Sequence, residues 1–139
     1  MPAYLLVVAH ETPGGSPGTG RGGTDWARRY LEGISATVAP YGGRYLRLVR
    51  HRVELLEGDP LPGIGVALGE FPSYEAALAW YHSDAYRPLK ELRQANGRTT
   101  ILLLDGWPEG DDFEQYLERR RVEWRADDEA EQQGGAARA

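Results

Sequence analysis

The order of the apolar segments constrains the fold of this chain more than any other feature. Ala3–Ala9 is an uninterrupted apolar run, typical of a buried central strand. The next apolar residues recur at i, i+4 spacing and form one face of a predicted helix: Trp26, Tyr30, Ile34 and Val38. The chain therefore starts with a strand followed by a helix.

The rest of the pattern predicts two more strands, a helical region and a final strand. Arg44–Leu56 and Ile64–Phe71 are strand-like and are separated by a turn. Ser73 is placed to cap a helical region that ends at Asn96–Gly97, and Thr99–Leu104 is the last strand. The order β-α-β-β-α-β predicts an α+β, ferredoxin-like fold with a four-stranded antiparallel sheet.

A sheet of this kind has one face covered by helices and one face left open. The chain is too short to supply a second covering layer, so the pattern predicts a homodimer that packs sheet against sheet. On the third strand, Gly65, Ala67 and Gly69 leave one face almost without side chains. A neighbouring group is expected to approach the backbone closely there.

Three segments are predicted around or within this body, which spans residues 1–106. Residues 12–23 contain six Gly and two Pro and form a loop of the length that functional loops have. Residues 107–125 form a C-terminal helical extension, with acids first and arginines later. The polar segment 126–139 is predicted to be a disordered tail. The narrow apolar stripe of the extension consists of Phe113, Tyr116, Leu117 and Trp124.

Charge and composition exclude several classes of function. Residues 1–106 carry 11 Lys/Arg and 11 Asp/Glu, whereas residues 107–139 carry 5 and 10, so the net charge of -5 lies in the C-terminal segment. This distribution argues against a nucleic-acid-binding protein, which needs a basic face. No apolar run is long enough to span a membrane, no signal peptide is evident and there is no cysteine. A cytoplasmic protein is expected.

The chain resembles a family of small bacterial proteins, domain of unknown function 1330, within the dimeric α+β barrel superfamily. The resemblance covers residues 1–106, with the glycine-rich loop as an insertion, and it rests on the following pieces: Ala3–Tyr4, Tyr30, Tyr41–Tyr45, Leu56–Gly58, Glu70–Ser73, Ala79–Tyr81, Ser83, Tyr86 and Arg93. It implies a homodimer with a cavity between helices and sheet in each subunit. The wider superfamily includes cofactor-free monooxygenases, lactone isomerases and polyketide cyclases.

Three residues are candidates for catalysis. His10 ends the first strand, and its side chain titrates near neutral pH, which suits a general acid or base. Glu70 ends the third strand and is a candidate base or an orienting partner of His10. Arg44 is a candidate for holding a substrate carboxylate or enolate. Each also has a structural interpretation, in which His10 is a loop histidine and Glu70 pairs with Arg44.

Several large aromatic residues are candidates for substrate binding, because pockets are mostly apolar and aromatic. Those predicted to line the cavity are Trp26, Tyr30, Tyr45 and Trp80. The three histidines have no metal-ligand spacing, and no phosphate or dinucleotide loop is present, so neither a metal nor a cofactor is expected.

These observations favour a small cofactor-independent enzyme that acts by general acid–base chemistry on a hydrophobic, cyclic or polyketide-like molecule. Cyclisation, isomerisation or dehydration in biosynthetic tailoring are the expected reaction classes. A ligand- or partner-binding protein without catalysis is the first alternative, with the C-terminal helix as its working surface. A cofactor-free monooxygenase is the second.

Overall fold

The computed structural model describes residues 1–10, 25–49, 52–58 and 63–138. The glycine-rich loop 12–23 and His51 therefore lie outside the described residues. The strands are β1 (Ala3–His10), β2 (Arg44–Val49), β3 (Gly63–Phe71) and β4 (Thr99–Asp105). The helices are α1 (Asp25–Val38), α2 (Tyr74–Tyr81), α3 (Arg87–Asn96) and α4 (Phe113–Arg138), with a short 3-10 turn at Ala39–Tyr41.

The four strands form one antiparallel sheet in the order β2-β3-β1-β4. β1 is a central strand, as its apolar sequence predicts, and β2 and β4 are the edges. This is the predicted ferredoxin-like α+β arrangement, and the fold prediction is confirmed.

Alternation along β1 separates the two faces of the sheet. Ala3 and Leu5 are buried beneath the helices, and Val7 packs against the same core. Tyr4 and Leu6 point to the opposite side, which we call the outer face. The helix-facing core is completed by residues from the helices and from the end of β3: Ile34, Val38, Phe71, Ala77, Trp80 and Tyr86.

A hydroxyl group fixes the corner between α2 and α3. Ser83 donates its hydroxyl hydrogen to the carbonyl oxygen of Trp80 (2.7 Å) and accepts a bond from the backbone N–H of Tyr86 (3.2 Å). The predicted cap at the other end of α2 is also present, since Ser73 Oγ accepts from the N–H of Ala76. Both ends of this short helix are therefore fixed, which sets the positions of Trp80 and Tyr86.

The second strand is shorter than predicted. Its pairing with β3 runs from Arg44 to Val49 and is shifted between Tyr45 and Arg47, so the side chains do not alternate regularly along β2. Residues 52–58 are exposed and contain a turn at Gly58, whose φ of 107° suits glycine. In the described part of the chain, none of residues 52–58 pairs with β3, so this part of the strand-like sequence forms no strand.

The C-terminal helix is longer than predicted. α4 continues to Arg138, so the segment predicted to be a disordered tail is helical in the structure. Alanine, glutamate and glutamine dominate residues 126–133, and all three are strong helix formers. Met1–Gly106 and Trp107–Ala139 form two separate compact units. Within the described residues, no helix has both the length and the apolarity needed to cross a bilayer.

Candidate functional site

A group of tyrosines surrounds one arginine between the helices and the sheet. The hydroxyl groups of Tyr30, in α1, and Tyr86, which precedes α3, form a hydrogen bond with an oxygen–oxygen distance of 2.7 Å. The ring of Tyr81 lies 6.0 Å from that of Tyr86. Arg93 of α3 interacts electrostatically with these tyrosines and with Tyr45 of β2. We call Tyr30, Tyr45, Tyr81, Tyr86 and Arg93 the tyrosine–arginine cluster.

The guanidinium of Arg93 is buried without enough partners. The residue is only 7% exposed, yet its Nε and Nη2 atoms find no hydrogen-bond partner among the described residues. A buried donor left without an acceptor costs about 1–3 kcal/mol, and more when it is charged. Such a cost at a well-packed position is typical of functional sites, where stability is given up for binding.

Burial and mutual repulsion keep the phenols neutral. Burial, followed by the facing hydroxyls of Tyr86 and Tyr45, raises the pKa of Tyr30 far above its usual value of 10.0. Burial, followed by Tyr86, also raises the pKa of Tyr45. Burial works against the charge of Arg93, but the neighbouring hydroxyls, Tyr86 foremost, leave the pKa of Arg93 above its usual value. At neutral pH the cluster therefore combines neutral hydroxyls with one cation.

A row of small residues lies on the same side of the sheet as the cluster. Ala9 pairs with Gly65 on one side and with Thr99 on the other, and we call these three residues the small-residue shelf. A Cβ atom added at Gly65 would meet only the Cβ of Ala9, at 3.7 Å, among the described residues. The shelf therefore leaves room for a ligand at this end of the sheet.

An open cavity of about 450 Å³ lies beside the cluster and reaches the shelf at Thr99. Arg93 and Tyr81 line it from the helices, and Thr99 and Ile101 line it from β4. Arg98 supplies a second cation, and no described acidic residue lines the cavity. Such a cavity is polar and positively charged at one end, and aromatic beside it.

The aromatic residues predicted to bind substrate have different positions. Tyr30 and Tyr45 belong to the cluster. Trp80 is 1% exposed and is packed in the core, with its ring 4.2 Å from that of Tyr86 and its Nε1–H donated to Thr37 Oγ1. It supports Tyr86 from behind. Trp26 is half-buried one helical turn before Tyr30. Ligand binding by these residues stays a prediction.

The residues predicted to be catalytic lie on the outer face, away from the cluster. His10 Nε2 is 2.8 Å from the hydroxyl oxygen of Thr100, which lies opposite Val8. Glu70 accepts from Arg44 at 3.2 Å, which is the structural pairing considered above. Glu70 lies opposite Tyr4, so six residues of β1, or about 20 Å, separate it from His10.

Glu70 therefore does not orient His10 within one subunit, and the idea of direct cooperation between them is wrong. The separate catalytic roles of His10, Glu70 and Arg44 stay predictions. In the described residues, no group of three or more His, Asp or Glu side chains is arranged to hold a metal ion.

Arg93, Tyr81 and Tyr86 are site residues that the search for chemistry along the sequence did not select. An arginine in an amphipathic helix is usually solvated, and this assumption hid Arg93. The available signal was its spacing. Tyr86, Leu89 and Arg93 recur at i, i+3 and i+7, which places the arginine on the apolar face of α3.

The raised tyrosine pKa values predict a loss of stability at alkaline pH. Above pH 10 the unfolded chain releases the protons of Tyr30 and Tyr45 while the folded chain keeps them. The free energy of unfolding then falls by about 1.4 kcal/mol per pH unit for each tyrosine, and this part of the stability is fully present below pH 10.

We expect Tyr30→Phe to remove about half of this slope, which urea unfolding between pH 9 and pH 11 will measure. Tyr116→Phe, at an exposed position of α4, is the matched control and should leave the slope unchanged. Parallel profiles for the wild type and Tyr30→Phe would contradict the prediction.

Comparison with known proteins identifies a family and a fold. The family described as Domain of unknown function (DUF1330) matches residues 23–107. RPA0582, a protein of unknown function from Rhodopseudomonas palustris, aligns with a TM-score of 0.61 and 18% identity over 77% of this chain and 83% of that chain. The methylated form of RPA0582 aligns with a TM-score of 0.60 and 21% identity, over 79% of this chain and 84% of that chain.

A variant of SnoaB, a cofactor-independent oxygenase from Streptomyces nogalater, gives a TM-score of 0.43 and 13% identity over 80% of this chain and 98% of that chain. The search of curated proteins finds no match. At these identities, the similarity to RPA0582 supports the fold alone.

Proposed function

The chain belongs to the DUF1330 family, which is defined without a reaction, and we propose its function from the geometry of the site. Each subunit of a homodimer binds a small cyclic or aromatic molecule between the helices and the sheet. The subunit then promotes proton transfer on that molecule. The observation that carries the proposal is the buried, incompletely bonded guanidinium of Arg93 beside the joined hydroxyls of Tyr30 and Tyr86. No cofactor is needed for this chemistry.

The aromatic rings and the shelf suit a flat ligand. The cavity reaches the shelf at Thr99, and Tyr81 lines the same cavity. A planar ring that extends from Thr99 over its neighbours Ala9 and Gly65 would meet backbone and small side chains below it. Binding sites for small molecules commonly combine such apolar walls with a few convergent polar groups. Here Arg93 and Arg98 are the polar groups at the cavity wall, and Tyr86 lies behind Arg93.

The polar groups of the cluster suit a transition state in which an oxygen atom gains negative charge. Neutral tyrosine hydroxyls donate hydrogen bonds, and a guanidinium already fixed in a buried site stabilises an enolate without reorganising. Enolisation is the step shared by isomerisations, cyclisations and dehydrations next to a carbonyl group. The cluster therefore supports the anion-stabilising part of the reaction, while solvent water in the open cavity takes the proton from carbon.

The outer face supports the homodimer. Leu102 and Leu104 of β4 are 51% and 47% exposed there, beside Leu6 of β1. An antiparallel sheet whose outer face carries leucines on adjacent strands is normally covered by a second layer. A second copy of the same face is the simplest layer that this small chain can obtain.

The proposed function is tested with 2-tetralone, an aromatic ketone whose C1 protons exchange through an enol. We expect calorimetry to show binding and proton NMR in D2O to show deuterium uptake above the buffer rate. Tyr86→Phe should lower the protein-dependent uptake about tenfold, because the hydroxyl that helps to fix the guanidinium of Arg93 is lost. Tyr74→Phe, at the first residue of α2 and seven residues before Tyr81, is the control.

A second variant tests the location of the site. Gly65→Leu should weaken binding at least tenfold by filling the shelf, whereas Val66→Leu, on the outer face, should not. Binding without deuterium uptake would support the binding-protein alternative. Absence of binding by the wild type would overturn the proposal.

A further inference from the structure

The free edge of the Arg93 guanidinium has a defined shape. Nε and Nη2 are the two atoms without partners, and their N–H bonds lie on the same edge of the planar group. Two parallel donors on one edge match the two oxygens of a carboxylate, which they bind as a bidentate pair. Both atoms are buried, so bulk water does not bond to them, and a ligand oxygen reaches them when the cavity wall beside Arg93 moves.

The surroundings of this edge favour an anion. Arg93 and Arg98 both line the cavity, and no acidic residue does so among those described. Tyr30 and Tyr45 cannot neutralise the guanidinium at neutral pH, because burial raises the pKa of each hydroxyl. The charge of Arg93 is thus left without a counter-ion in the described part of the chain.

We propose that the ligand of this site carries a carboxylate, which binds the Nε–Nη2 edge of Arg93 while its ring lies along the cavity. This assignment rests on the proposed function and adds the chemical class of the molecule, an aromatic or cyclic carboxylic acid. A phosphate group also offers two oxygens to this edge, so the test below includes inorganic phosphate as a competitor.

The test compares 2-naphthoate with 2-naphthamide, which has the same shape without the charge. We expect calorimetry to show that the wild type binds 2-naphthoate at least tenfold more tightly. Arg93→Met should remove this preference, and Arg93→Lys should not restore it, because an ammonium keeps the charge but lacks the two-donor edge. Arg87→Met, which removes an exposed charge from the same helix, should change neither affinity.

Stability distinguishes binding from a structural role. A buried charge that serves only a ligand can be replaced by an apolar group without harm, so the midpoint of thermal unfolding of Arg93→Met should equal or exceed that of the wild type. Added 2-naphthoate should shift the Nε–H resonance of Arg93 in 15N spectra. An Arg93→Met variant that melts well below the wild type would assign the arginine to the fold and overturn the inference.

The remaining outcomes separate the two proposals. Equal affinity for the acid and the amide, unaffected by Arg93→Met, would overturn the carboxylate and leave the proposed binding of an aromatic molecule intact. Displacement of 2-naphthoate by inorganic phosphate at equal concentration would show a phosphate site and overturn the carboxylate. Failure of the wild type to bind either compound would overturn the inference and, with the tetralone experiment, the proposed function.

Discussion

Trp80→Ala is expected to lower the free energy of unfolding by about 3–5 kcal/mol, because it removes the largest side chain of the core. The residue is 1% exposed and packs against the rings of Phe71, at 5.4 Å, and Tyr86, at 4.2 Å. The loss combines the transfer free energy of the indole with the cost of the cavity left behind. Domains of this size have only about 5–15 kcal/mol in total, so the variant will be marginally folded.

The indole N–H of Trp80 makes a smaller contribution to the free energy of unfolding. Its Nε1–H is donated to Thr37 Oγ1 at 3.0 Å, and Thr37 in turn donates its hydroxyl to the carbonyl oxygen of Ile34 at 2.8 Å. Trp80→Phe keeps most of the ring packing but removes the first bond. We expect it to cost about 1–2 kcal/mol, the usual value for a buried hydrogen bond with some lost volume.

Urea unfolding of both variants measures these differences, and Leu78→Ala provides the control. Leu78 lies on the same helix as Trp80 but is 39% exposed, so its loss should cost less than about 1 kcal/mol. Stability within 1 kcal/mol of the wild type for Trp80→Ala would show that the indole is not a core residue. It would then be free to line a ligand cavity, as the sequence suggested.

The helices and strands could be predicted from the sequence because each depends on residues that are near one another in the chain. The apolar run of β1, the capping hydroxyl of Ser73 and the i, i+4 face of α1 all act over a few residues. The form of residues 52–58 was missed because a strand needs a partner, and none of these residues pairs with β3 among the described residues. The length of α4 was missed because its polar composition also suits an unfolded tail.

The candidate site was harder to predict from the sequence because it depends on which face of the sheet the helices cover. Alternation along β1 places His10 and Ala9 on opposite faces, but it does not say which face is inside. The core positions of Leu5 and Phe71 decide this question, and they place His10 outside. Arg93 was missed for another reason, since arginines on amphipathic helices are usually solvated and its position on the apolar face of α3 was not read as a sign of burial.

Leu102→Asp is expected to convert the proposed homodimer into monomers. In a two-fold interface each substitution occurs twice. Losing the burial of one leucine costs about 1.5–3 kcal/mol, so two copies raise the dissociation constant of the dimer about 10³-fold, and the added charges raise it further. Sedimentation velocity over a hundredfold range of concentration will measure the change.

The position is chosen from the register of the sheet. Leu6 of β1 lies opposite Leu68 of β3 and Leu102 of β4, which makes a continuous row of three leucines across the outer face. The ion pair of Arg44 and Glu70 lies at one end of this face. An apolar centre with a polar margin is the usual anatomy of a protein interface.

Leu31→Asp is the matched control, because Leu31 is 47% exposed on α1, close to the 51% of Leu102, and does not belong to the outer face. It should sediment like the wild type, and both variants should keep the far-ultraviolet circular dichroism of the folded chain. Since the tyrosine–arginine cluster lies on the other side of the sheet, monomeric Leu102→Asp should still bind 2-tetralone. A wild type that remains monomeric throughout the range, or a Leu102→Asp variant that remains dimeric, would show that the outer face is not where two copies meet.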